Sequence, residues 1–355
     1  MERFIKLNVS QAQLSDLENA DVFLQSSMWG EFKAKFGWSA KAFLTEWLYD
    51  NLREKTHLLV LCRKLVPGFS FAYVPWGPQL PVNFFSNENE KAVSETAKKL
   101  KPFLPRNCVF VRFEPPWQGS NESNDSYLSA GFKKAAATVQ PPDTVIINLE
   151  NKPEEILSQM KSKWRYNISL AEKKGVTVKT CGIEEIETFY NLLKETAQRD
   201  GISVHGLNYY KTLFELCGEK IKLYTASHEG ETLAAIVVLF WGKDATYLYG
   251  ASSNNKRNLM APYALQWKAM QDAKEKGCIN YDLFGIPPNE DPSHPMAGLY
   301  RFKTGFGGQI MHRSGTWDFA YNGFLYSLFC MAEKLRKKIL FTKKNKPRNN
   351  TKKRK

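Results

Sequence analysis

The feature that most limits how this chain folds is a succession of elements that occurs twice. His57–Val66 and Phe69–Val74 predict a hairpin turning at Pro67-Gly68. A Pro/Gly loop at 75–78, a helix over Ser86–Leu104 and an alternating strand, Cys108–Glu114, follow and stop at Pro115-Pro116. The order then returns. Thr232–Phe240 and Ala245–Gly250 pair across Gly242–Asp244, a loop begins at Ala251, Pro262–Lys276 is helical, and Ile279–Phe284 is a strand before Pro287-Pro288. Each copy implies a mixed sheet flanked by helices, which puts the chain in the α/β or α+β class. Identity between the copies is slight and chance recurrence of βαβ punctuation gives the same order, so the duplication rests on order alone.

Two sheets suit the length, because 355 residues exceed one ordinary core. With 43% hydrophobic and 24% charged residues the chain is a soluble globular protein and not a disordered scaffold. The net charge of +14 invites a nucleic-acid reading. Twelve Lys or Arg and no acid lie between Lys334 and Lys355, however, which leaves +2 for the rest. The basicity is mostly a tail, suited to any polyanion or acidic membrane face. Six scattered cysteines without CxxC or nearby histidine spacing read as buried thiols. No apolar signal core or bilayer-length run appears, so a reducing cytoplasm is expected.

Before, between and after the copies the chain offers cations on predicted helices and turns. Phe23–Gly37 reads as a helix capped by Ser26 or Ser27, apolar at Trp29, Phe32 and Phe36, with Lys33 at the edge of that face. Pro153–Lys174 keeps helical spacing at Ile156, Met160, Trp164, Ile168 and Ala171, and its other face carries Lys161, Lys163, Arg165, Lys173 and Lys174. That face is either solvated or a phosphate surface. Glu184–Asp200 is a further helix with Arg199 in its last turn, where a cation also complements the helix dipole. Near the end, Gly298–Gly308 sets Arg301 and Lys303 among three aromatic rings in a glycine-rich turn, whose Gly305, Gly307 and Gly308 tolerate positive φ. Trp317–Phe319 is a strand, and Gly323–Leu340 a helix that is apolar, then basic.

Several chemistries are missing. There is no GxSxG elbow, P-loop or HExxH, and the five histidines have no catalytic spacing. The second hairpin, loop and helix suit an acetyl-CoA-type N-acyltransferase scaffold. The loop Asn255–Pro262 lacks the glycines that would cradle a pyrophosphate, which argues against coenzyme A.

At Lys161–Val176 the sequence resembles the Fem family of aminoacyl-tRNA-dependent peptidyltransferases, which build the interpeptide bridges of bacterial peptidoglycan. Further matches follow in family order. They are Leu24–Ser26 with Trp29 and Lys33, Thr196–Asp200, Tyr247–Ser253, Arg257-Asn258 with Pro262, and Gly298–Gly307. The resemblance covers roughly Phe23 to Asp318 and implies two tandem acyl-CoA N-acyltransferase-like (GNAT-like) domains. One spans residues 1–146, completed by 315–341, and the other 147–314, with 342–355 a disordered basic tail. No long helical arm fits between Tyr210 and Leu223, which indicates the compact type.

The same resemblance implies an aminoacyltransferase that moves an amino acid from aminoacyl-tRNA to a muropeptide precursor, UDP-linked or lipid-linked, with no cofactor. Lys33 and Arg199 would hold the acceptor's diphosphate and Lys303 would act at the reacting carbonyl. Arg165 and Arg301 are further substrate-binding candidates, and Tyr249 would meet the acceptor peptide. Attack on an activated ester needs positioning and charge relief more than a strong base. Glu114, at a strand end, is the candidate to orient the amine or take its proton; pairing with Arg112 is its alternative. A monomer in peripheral contact with an anionic membrane is expected. The rival readings are an acyl-CoA-dependent N-acyltransferase and a non-catalytic RNA- or membrane-binding module.

Overall fold

The computed structural model describes residues 6–49, 52–66, 68–81 and 88–344. Its first part runs through β1 (Lys6–Ala12), α1 (Ser27–Ala34), β2 (Ser39–Tyr49), β3 (Leu52–Val66), β4 (Phe69–Pro75), α2 (Asn89–Leu100), β5 (Cys108–Glu114), α3 (Asn121–Ser129) and β6 (Phe132–Lys134). Next come β7 (Asp143–Asn148), α4 (Pro153–Gln159), α5 (Ser162–Lys173), β8 (Thr177–Cys181), α6 (Ile186–Asp200), α7 (Leu207–Cys217), β9 (Ile221–His228), β10 (Glu231–Trp241) and β11 (Asp244–Ser252). The chain continues with α8 (Ala261–Glu275), β12 (Asn280–Asp282), α9 (Ala297–Thr304), β13 (Gln309–His312), β14 (Trp317–Ala320) and α10 (Gly323–Lys344).

The described strands form two mixed seven-stranded sheets, β1-β2-β3-β4-β5-β14-β6 and β13-β7-β12-β11-β10-β9-β8. The repeated order is visible in both. β3 and β4 are antiparallel and β5 returns parallel to β4 after α2, just as β10 and β11 are antiparallel and β12 returns parallel to β11 after α8. In each sheet the next position is taken by an antiparallel strand from elsewhere in the chain, β14 beside β5 and β7 beside β12. β7 lies wholly in the second sheet, and the expected division after residue 146 falls inside it.

Both sheets are covered on both faces, which explains their nearly continuous apolar strands. Along β10, Ala235, Val237 and Leu239 face a core between the sheets, while Ala234, Ile236 and Val238 face α5 and α8. Leu59 and Leu61 of β3 likewise join the shared core, and Leu58 and Val60 face α2 and α3. Residues of α1, α6, α7 and the start of α10 fill the space between the sheets.

Three local expectations change. The helix expected from Phe23 begins at Ser27, because Ser26 is extended and its Oγ accepts the Trp29 amide at 3.1 Å, a serine N-cap. The helix expected over Pro153–Lys174 breaks at Met160 and Lys161, whose ψ values are 148° and 141°. The freed Lys161 amide donates to the Gly305 carbonyl at 2.9 Å, so a tertiary bond accompanies the break. Finally, the glycine-rich turn is helical up to Thr304 and only then opens.

Candidate active site

Lys303 lies in the last turn of α9 and is 6% exposed. Its ammonium donates to the Phe284 and Gly285 carbonyls at 3.0 and 2.9 Å and sits 5.0 Å from the centroid of the Tyr247 ring. Those carbonyls are available because the chain leaves β12 at Asp282 and Phe284 adopts a φ of 55°, outside any ladder. Burial pushes the Lys303 pKa down to about 7, with Asp282 opposing. An ammonium has three N–H donors and two are used here, which leaves one to act on a ligand.

Close packing holds α9 in place. Trp164 Nε1 donates to the Phe302 carbonyl at 2.9 Å, and a Cβ on Gly305 would stand 2.1 Å from the Trp164 ring. Gly305 itself has an ordinary φ of −73°, so close approach explains it, whereas Gly307 and Gly308 adopt φ of 81°. A β-bulge at Val237/Val238 sends Leu248 and Tyr249 toward the shared core, while Tyr247 faces the opposite side under Lys303.

The other candidates lie in different settings. Glu114 is buried, and its carboxylate accepts from Val139 N at 2.6 Å, Gln140 N at 3.1 Å, Thr316 Oγ1 at 2.9 Å and, closely, Tyr73 Oη. Its oxygens are thus taken up by protein donors, and burial still raises its pKa. The alternative pairing with Arg112 is replaced, since Arg112 binds Asp318 in a buried fork at 2.7 and 2.8 Å. Arg199 uses all five N–H groups on Asp200, Ser252 and Asn254, tying α6 to the loop after β11. Tyr249 packs at 5.2 Å on Tyr210 in the shared core. Arg165 is exposed and donates to the Met160 and Ser158 carbonyls at the end of α4. Arg301 is exposed, two residues from Lys303 and therefore on the far side of α9.

Lys33 has aromatic walls. Its Nζ lies 5.5, 6.0 and 5.6 Å from the Trp29, Phe32 and Trp38 centroids, and burial, then the charge of Arg63, lowers its pKa to about 8. Arg63 stacks over Trp38 at 5.2 Å.

Sequence reasoning passed over Arg63, and also over Asp282 and Arg313. Arg313 stacks at 4.0 Å on Trp76, in the turn after β4 of the first sheet, and its Nη2 lies 3.5 Å from Asp282 of the second. Arg313, Trp76 and Asp282, with Phe23, Trp241 and Asp244, line a cleft of about 150 Å³ between the sheets. The available signal was weak: Asp282 is the one acid in the apolar stretch Tyr281–Ile286, and nothing marks Arg313. Among the described residues, no cluster of His, Cys, Asp and Glu could hold a metal.

A profile described as the FemAB family matches residues 12–130, 126–231 and 225–334, most of the chain. The chain belongs to the FemAB family. Curated proteins similar to this FemAB chain include the lipid II:glycine glycyltransferase of Staphylococcus saprophyticus, 25% identical over 86% of this chain and 89% of that protein. The protein of the same name from Staphylococcus epidermidis is 23% identical over 91% and 94%. A crystal structure of FemX matches at a TM-score of 0.77 with 20% identity, covering 91% of this chain and all of that one. A tandem GNAT protein from the clavulanic acid pathway matches at 0.50 with 12% identity over 88% and 98%. These likenesses establish the FemAB fold here as two tandem GNAT-like domains.

Proposed function

We propose that this enzyme transfers an amino acid, with glycine the first to test, from aminoacyl-tRNA to the side-chain amine of a peptidoglycan precursor. The observation that carries the reading is Lys303, a nearly buried cation with one free donor at an opened strand end, in a chain whose relatives are named glycyltransferases. An aminoacyl ester reacting with an amine passes through a tetrahedral oxyanion, and an ammonium fixed beforehand in a water-poor site stabilises that charge without reorganising. The ribose hydroxyl then leaves, and the same cation eases its departure. The exposed cationic side of α5, from Lys161 to Lys174, is the surface we assign to the donor's phosphates.

Contact with an anionic membrane belongs to the same reading, since it brings the enzyme to lipid-linked acceptor. Phe324, Leu328, Met331 and Leu335 are 74%, 46%, 59% and 58% exposed and lie along one side of α10, while Tyr326 and Phe329 pack on Phe110. Basic sequence follows directly from Lys334. No helix among the described residues is long and apolar enough to cross a membrane, so such contact would be interfacial.

The deciding assay supplies tRNA charged with radiolabelled glycine, alanine or serine together with soluble and lipid-linked acceptor. Label appearing in acceptor peptide supports the reading. Label remaining on tRNA under every pairing rejects it. Mass spectrometry of wall cross-bridges from cells with and without the protein identifies the amino acid.

A further inference from the structure

Phe284 holds a backbone conformation that residues with a side chain seldom adopt, and one carboxylate fastens it there. Its φ of 55° lies in the left-handed region, and its carbonyl and that of Gly285 accept from the Lys303 ammonium at 3.0 and 2.9 Å. Asp282, the last residue of β12, spans the turn: its Oδ1 accepts the Phe284 amide, two residues on, at 2.7 Å. Thr144 Oγ1 of β7 donates closely to the same oxygen, and Arg313 Nη2 lies 3.5 Å from Oδ2. A neutral asparagine would accept from the amide and the hydroxyl equally well, so neither bond accounts for a charge that is 6% exposed. The charge answers to two cations. Arg313 is one, at a distance longer than an ordinary charge-assisted bond. Lys303 is the other, because burial drives its ammonium toward the neutral form and the charge of Asp282 opposes that. Tyr247 also faces Lys303, but burial raises its pKa and it brings no charge. Asp282 is in turn faced by Arg313 and Asp244, while Asp143, bound to His312 at 2.7 Å, acts on Arg313.

We propose that Asp282 is a positioning residue of the transfer step: its carboxylate fixes the turn whose carbonyls seat Lys303 and supplies the negative charge that faces that ammonium. The inference rests on the reading above, in which Lys303 is the cation that meets the oxyanion. Asp282 acts through Lys303 and not on substrate. An ammonium relieves an oxyanion only while protonated and only when aimed at it, so one side chain governs both requirements.

Two substitutions separate the roles. Asp282→Asn keeps an acceptor oxygen for the Phe284 amide and the Thr144 hydroxyl but removes the charge, and Asp282→Ala removes both. NMR titration of the lysine side-chain resonances of the full chain, with that of Lys303 identified by its absence from Lys303→Met, reads the charge directly. The wild-type midpoint should lie at about 7, and that of either Asp282 variant about one pH unit lower, so whichever variant folds carries the test. In transfer assays Asp282→Asn should converge with wild type toward about pH 5, level off about one unit earlier and stay about tenfold slower at pH 8, with acceptor KM unchanged. Asp282→Ala should lose about a further tenfold at every pH, because the carbonyls that seat Lys303 lose their anchor. If Asp282 served only as the partner of Arg313 between the sheets, Arg313→Met would reproduce the lowered Lys303 midpoint; it should instead leave that midpoint no lower than in wild type. An unshifted midpoint in a folded Asp282 variant overturns the inference, as does the same downward shift in Arg313→Met. A wild type that shows the expected midpoints but transfers nothing rejects the proposed reaction and leaves the link from Asp282 to Lys303 standing. Transfer by Asp282→Asn with the wild-type pH profile rejects the link and leaves the reaction standing.

Discussion

Burial brings the Lys303 pKa down to about 7, so its chemistry depends on which protonation state works. A cation that stabilises an oxyanion must be charged, so its share falls above a pKa of about 7, while the free-amine share of an ordinary lysine-like acceptor rises tenfold per pH unit up to its pKa of ~10.4. The product of the two rises to about pH 7 and is then level. In Lys303→Met, only the acceptor titrates, so the residual rate should keep climbing from pH 7 to 9, which stopped-time transfer assays will show. A wild-type profile that climbs in parallel with the variant's would remove Lys303 from the chemical step. Lys303→Ala at pH 7 should lose about 3 kcal/mol, roughly a hundredfold in kcat, the scale of one oxyanion donor. A second residue-scale effect is steric. The Gly305→Ala methyl would overlap Trp164, and overpacking of this kind costs about 1–3 kcal/mol. Urea midpoints should show that loss, and Trp164→Leu in the same protein should return part of it.

At the scale of elements, α10 is divided lengthwise. Tyr326 donates to Asp318 at 2.9 Å and Phe329 meets Phe110, so this side anchors the helix to the first sheet, while the Phe324-to-Leu335 side has no cover within the described residues. Phe324→Ser with Leu328→Ser should therefore leave transfer to soluble acceptor unchanged but lower co-sedimentation with vesicles of phosphatidylglycerol and phosphatidylcholine. Charge reversal among the basic residues should weaken it by about 1 kcal/mol for each engaged cation. Equal sedimentation of the double variant and wild type would defeat the membrane contact. Composition shows the apolar positions, but which of them meet Phe110 depends on how the helix is rotated against the sheet. The tail beyond Lys344 lies outside the described residues.

The whole molecule is joined by its largest core. Leu59, Tyr73, Val237, Leu239 and Trp241 from the two sheets belong to one cluster, and Trp241 Nε1 donates to the Ala20 carbonyl at 2.6 Å. A large apolar interface opposes independent domain motion. Thermal unfolding should accordingly be one transition with equal calorimetric and van't Hoff enthalpies, and Val237→Asp should lower the midpoint without splitting it. Two separated transitions in the wild type would show that the sheets unfold independently.

Much of this organisation is local and therefore legible from sequence. Strand alternation, turn residues and helix periodicity record short-range steric and burial preferences, so the repeated hairpin, helix and strand and the Ser26 cap emerged from residue order, whereas the family resemblance singled out Lys303. The tertiary structure decided what depends on distant neighbours. It broke the helix at Met160 where Lys161 meets Gly305, consumed the Glu114 and Arg199 donor and acceptor groups within the protein, and brought Arg63 to Lys33 and Arg313 to Trp76. A side chain's charge is written in the sequence. Its free valence is not, because that depends on which groups from other elements reach it first.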